Sequence, residues 1–151
     1  MDGMEAITFE IQGEAIPQPR AHPGRFAGQM FTPTRTGIKA FREAVALMAS
    51  AHASRAGWQD LDGWFVVDIE CVFPRPATHF TQGGRLKASA PPFPGKMKGD
   101  WDNLGKGVCD AITKRRCVWI DDGRVADGRT HKRFAIDGEV PKTIVTIKRV
   151  A

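Results

Sequence analysis

The 151 residues are enough for one domain with a real core, and Lys plus Arg outnumber Asp plus Glu by 22 to 17. Three cysteines, Cys71, Cys109 and Cys117, without Cys-x-x-Cys spacing argue against a disulfide framework or a structural zinc and point to free thiols in a reducing compartment. The opening residues carry no signal pattern and no apolar run approaches membrane-spanning length, so a soluble, cytoplasmic protein without a membrane partner is expected.

Residues 5–12 alternate, with Ile7, Phe9 and Ile11 on one side, and read as a strand. Residues 13–36 are rich in Pro, Gly and Arg with little periodicity, and read as a long ordered arm. Ile38, Phe41, Val45 and Met48 mark one face of a helix over 37–56, with Thr36 as its N-cap and Gly57 as its stop. Residues 64–73 form the most hydrophobic strand, ended by Pro74 and Pro76, and suit a central position. A long Pro- and Gly-rich loop over 74–99 follows, of a length that usually carries function. A second helix over 103–114 turns Leu104, Val108, Ala111 and Ile112 to the core, with Gly105 and Gly107 each weakening it by roughly 1 kcal/mol relative to Ala. Strands over 124–135 and 142–150 complete an α+β sheet carrying two helices, as a single domain over residues 1–151.

The basic residues fall in tracts. Arg20, Arg25, Arg35, Lys39 and Arg42 lie in a stretch with no acidic residue, and so do Arg75, Arg85, Lys87, Lys96 and Lys98. Arg129, His131, Lys132 and Arg133 form a third cluster. One such cluster is as well read as solvated surface. Three around one acidic site fit a phosphate backbone delivered to that site.

The acidic site is Lys98-Gly99-Asp100-Trp101-Asp102-Asn103-Leu104, with Lys106 close behind and Asp121-Asp122 further on. Carboxylates about 4 Å apart repel by roughly 4 kcal/mol at an effective dielectric near 20. A hard divalent cation such as Mg²⁺, which takes oxygen ligands and substrate phosphates, would offset that. In extended chain Asp100 and Asp102 share a face, and Asp102 suits the N-cap of the following helix. Lys106 lies four residues after Asp102, either as one half of an exposed ion pair or as a cation over a scissile phosphate. Asp121-Asp122-Gly123 also suits a simple turn. Trp101 reads as core packing ahead of base stacking, and Phe26 and Phe31 in the basic arm as loop anchors or as wedges into a bound partner. His22, His52 and His79 show no ligand spacing.

The segment KGDWDNLGKGVCDAITKRRCVWIDDGRV, residues 98–125, resembles the signature of RusA-type Holliday junction resolvases, roughly K-P-D-x-D-N-x-x-K-x-x-x-D-A-L followed by D-D-x-x-V. The resemblance implies a small mixed sheet with two helices packed on it. It further implies metal-binding catalytic carboxylates at Asp100, Asp102 and Asp122 (Asp121 as the alternative third ligand), and a functional lysine at Lys106. Mg²⁺, with Mn²⁺ as a substitute, would be the cofactor, and a homodimer would resolve a four-way junction by two symmetric nicks. Candidate DNA contacts are Arg20, Arg25, Arg35, Arg75, Lys96, Lys98, Arg129 and Lys132. The chain departs from the pattern at Gly99, which replaces the usual proline and is expected to loosen the approach to Asp100, and at the two helix glycines. Two rivals are a non-catalytic branched-DNA-binding protein and a Mn²⁺-dependent glycosyltransferase using Asp-x-Asp. The latter is disfavoured by the small chain, the basic tracts and the lack of a nucleotide-binding βαβ unit.

Overall fold

The structure is a computed structural model that describes residues 6–19, 22–24, 28–31, 37–59 and 62–151. Arg20, Arg25, Phe26, Arg35 and the expected cap Thr36 lie outside the described residues, as do the side chains of His22 and Phe31. Strand β1 spans Ala6–Gln12, the two-residue strands β2 and β3 span His22–Pro23 and Met30–Phe31, and α1 spans Ile38–Arg55. β4 spans Phe65–Phe73, α2 Trp101–Arg115, β5 Val125–Phe134 and β6 Lys142–Arg149. The main sheet runs β1-β6-β4-β5, antiparallel except for the parallel β4–β5 pair. This is the mixed sheet with two helices that the sequence leads one to expect. The β2–β3 ladder inside the arm is an addition, because two-residue strands leave no periodic trace.

Burial in β1, β4 and β6 follows the period-2 alternation of strands packed on one face only. Phe9 pairs with Val145, which pairs with Ile69, so buried side chains line up across three strands. Helix α1 presses Phe41, Val45, Ala49 and Ala53 onto this layer, and α2 adds Leu104, Val108, Ala111 and Ile112. Burying a side chain such as Phe or Val contributes about 1.5–3 kcal/mol. The opposite face carries polar cross-strand pairs, among them Thr8–Thr146 and His131–Asp68, each at 3.1 Å. There Arg133 also grips Glu70 and both carboxylate oxygens of Glu139, at 2.6 and 2.7 Å, and holds the Glu139 carboxyl down at about 2. Gly57, in the left-handed region at φ 79, ends α1 as expected. No described helix is long and apolar enough to cross a membrane.

The two glycines of α2 are not equivalent. A Cβ on Gly105 would meet Thr130 Oγ1 at 2.3 Å, so this glycine lets α2 lie directly on β5. A Cβ on Gly107 would come no closer than 3.5 Å, to the Gln18 backbone nitrogen, an ordinary contact. Gly107→Ala is therefore expected to stabilise by up to about 1 kcal/mol, raising Tm by a few degrees. Gly105→Ala should melt below the parent, because overpacking costs about 1–3 kcal/mol. Thermal unfolding followed by circular dichroism checks both, and equal melting of the two variants would mean that Thr130 yields without cost.

Candidate active site

All the candidate catalytic residues lie on one excursion of the chain, the crossover from β4 to the parallel strand β5. Its entry is fixed at Gly99. The residue has φ 112, reached readily only by glycine, and a Cβ there would stand 2.8 Å from Pro17 Cβ and Cγ. Lys132 Nζ donates to the carbonyls of Gly99 at 3.0 Å and Gly95 at 3.4 Å, and the Gly99 N–H donates to the Lys96 carbonyl at 3.0 Å. The expectation that Gly99 loosens the approach to Asp100 is thus overturned. Proline, locked near φ of about −65°, could not adopt this backbone.

Helix α2 begins at Trp101, two residues earlier than the hydrophobic pattern suggests, and this moves both aspartates. Asp100 occupies the N-cap position in extended conformation (φ −74, ψ 147), and its side chain makes no capping bond. Asp102 lies in the first turn and does not cap the helix. The shared face inferred from extended chain therefore fails, since only one of the two aspartates is in extended backbone. The i, i+4 relation of Asp102 to Lys106 holds, because both are helical. Together they line a cavity of about 180 Å³ with Trp101, Cys109, Arg129 and Thr130. Lys106 pairs with Asp110 at 3.7 Å and stays largely exposed. Trp101 is 62 % exposed at this mouth, so the core-packing expectation is corrected.

The third carboxylate arrives from the far end of α2. Trp119 is fully buried against Phe65, ring centroids 5.6 Å apart, and its indole N–H donates to Thr113 Oγ1 at 2.7 Å. This anchors the chain just before Asp121. The Asp121 carboxylate accepts from the Gly123 N–H at 2.8 Å and caps a short 3₁₀ turn, Asp122–Arg124. Asp122 is exposed beside it. Its charge reaches Cys109: the thiol is pushed up to about 12, first by burial, then by the charges of Asp122 and Asp110. The short turn that carries Asp122 packs against α2.

Among the described residues no three His, Cys, Asp or Glu side chains converge closely enough to form a cage for an ion. The donors on hand are carboxylate oxygens, the chemistry of a hard cation. Mg²⁺ is commonly held by one or two carboxylates together with water and substrate phosphate, which this donor set fits without a closed cage.

Several candidate DNA contacts have structural duties. Arg75 donates to the Pro91 carbonyl at 2.9 Å and lies over the Phe134 ring, 4.3 Å from its centroid. Lys98 pairs with Glu14 at 2.9 Å. Lys132 clamps the backbone as described, while Lys96 and Arg129 are exposed. The clamp role of Lys132 was legible in principle. Buried Phe134 lies two residues on in the same strand, which puts Lys132 on the helix-covered face.

A family model described as Endodeoxyribonuclease RusA matches residues 12–148. The chain belongs to the RusA family. A Bacillus subtilis (strain 168) relative named "Uncharacterized protein YqaN" is 28 % identical over 149 residues, covering 98 % of this chain and 99 % of its own. RusA membership indicates an endodeoxyribonuclease, and the family acts on branched DNA junctions.

Proposed function

We propose that this protein is a Mg²⁺-dependent endonuclease that, as a homodimer, resolves four-way DNA junctions by paired symmetric nicks in recombination and repair. The observation that carries the reading is the meeting of Asp102 and Lys106 at one cavity mouth on α2, with the turn that bears Asp122 packed against the same helix. One or two of Asp100, Asp102 and Asp122 would hold the cation together with water and the substrate phosphate, with Mn²⁺ able to substitute. When bound, it supplies Lewis-acid polarisation of the phosphoryl oxygen and a more acidic water. Lys106 places a mobile positive charge where the phosphate gains negative charge in the transition state. Trp101 supplies an exposed aromatic face against which a base beside the cut can stack, an arrangement worth about 1–3 kcal/mol per base in single-strand binding. The bond that Asp121 makes within its turn supports Asp122 as the third carboxylate. A two-fold dimer matches the symmetry of a four-way junction and nicks opposed strands.

The test is cleavage of a labelled four-way junction with and without Mg²⁺. Symmetric nicks that vanish with chelator are expected. Tight junction binding without any cleavage across divalent metals would instead make the chain a non-catalytic branched-DNA-binding protein.

A further inference from the structure

A second, larger concavity lies away from the carboxylates. It has a volume of about 510 Å³ and runs between α1 and α2. Lys39, Arg42, Lys114 and Arg115 line it, opposed by Glu43 and Asp110. One of the two acids is already engaged, since Asp110 pairs with Lys106 at 3.7 Å. Arg42 extends inward: one of its terminal nitrogens donates to Gln18 Oε1, while its buried Nε has no hydrogen-bond partner among the described residues. A buried guanidinium N–H without an acceptor costs free energy, and an anionic oxygen is the acceptor that suits it best.

The groove is joined to the candidate active site by covalent and hydrogen-bonded routes. Lys106, Asp110 and Lys114 stand at successive i+4 positions, so one face of α2 leads from the cavity mouth into the groove. Gln18, on the groove wall, donates its backbone N–H to the Asn103 carbonyl at 3.1 Å, one residue beyond Asp102. From Lys106 to Lys114 the helix rises about 12 Å. At 3.4 Å per base pair that distance corresponds to about three to four base pairs of duplex.

We infer that the groove between α1 and α2 seats the phosphate backbone of a DNA arm leaving the cut site, about three to four base pairs away. This rests on the endonuclease reading and adds to it the path of the arm. Four cationic side chains outnumber the two carboxylates in the lining and suit phosphate oxygens, and the distance suits a duplex continuous with the scissile strand.

The experiment uses the full chain in metal-free buffer with a four-way junction, comparing the parent with a Lys39→Ala, Lys114→Ala double variant. Both lysines are exposed, so folding is expected to survive. Lys148→Ala, an exposed lysine on β6, removes a charge elsewhere as a control. In the double variant the plot of log affinity against log salt should flatten by about 0.9 for each phosphate contact removed, and Lys148→Ala should leave it unchanged. Hydroxyl-radical footprinting should lose protection on the arm while protection at the branch point remains. An unchanged slope and arm footprint in the double variant would overturn the groove while leaving the endonuclease reading intact. So would uniform loss of protection, or a loss of self-association by sedimentation, which would make the groove a protomer contact. A parent that protects no branched DNA at all would remove both readings together.

Discussion

Asp102→Asn and Asp122→Asn are each expected to abolish junction cleavage while leaving junction binding intact or tighter. Asparagine keeps the shape of the side chain but removes the charge that would hold a divalent cation. Lewis-acid stabilisation of several kcal/mol corresponds to a loss of about a thousandfold or more in rate. Binding is driven by phosphate attraction to the basic residues, and removing a carboxylate near the DNA lessens repulsion. Asp121 supplies the contrast. Its carboxylate oxygen accepts from the Gly123 N–H, and an asparagine Oδ1 does the same, so Asp121→Asn should keep most activity. Single-turnover cleavage and gel-shift affinity, measured on the same preparations, decide the matter. An active Asp122→Asn with an inactive Asp121→Asn would reverse the assignment.

Lys106→Ala should slow cleavage by about a hundredfold or more, the usual effect of a lost electrostatic donor, with little change in affinity. The lysine's pair with Asp110 is exposed and contributes little to stability, so thermal melting should hardly move. That separates a chemical role from a structural one. If affinity falls while single-turnover cleavage at saturating protein stays normal, Lys106 is a DNA contact only.

The elements of the sheet were legible in the sequence because their side chains alternate against one helical layer: Ile7, Phe9 and Ile11 in β1, Ile144 through Ile147 in β6. The buried face of α2 was equally plain, since Leu104, Val108, Ala111 and Ile112 repeat at helical spacing. Its start was not. The apolar pattern begins at Leu104, whereas the helix begins at Trp101, whose exposed indole contributes nothing to an amphipathic signal. The site suffered from the same limit. Local spacing related Asp102 to Lys106, but the contacts that hold the site together span distant segments. Thr130 against Gly105, Pro17 against Gly99 and Lys132 on the Gly99 carbonyl are set by how β5 and the arm fold back on α2. No local pattern encodes them, and so Gly99 and Gly105 read as weaknesses where they are fittings.

The grip of Lys132 on Gly99 also separates two parts of the chain that might otherwise constrain each other. Upstream, the segment from Pro74 to Pro94 passes over the surface through a 3₁₀ turn at Ala77–His79 and a single bridge between Phe80 and Leu86. Downstream, Gly99 packs against Pro17 and is held by Lys132 of β5, while Gly105 of α2 lies directly on Thr130 of β5. Lengthening such a loop costs only about 0.6 kcal/mol per doubling. Between the Arg75 contact with Phe134 and the Lys132 clamp, the exposed stretch over residues 81–89 can therefore vary in length and composition while the candidate carboxylates keep their station: a modular reach beside a fixed mount.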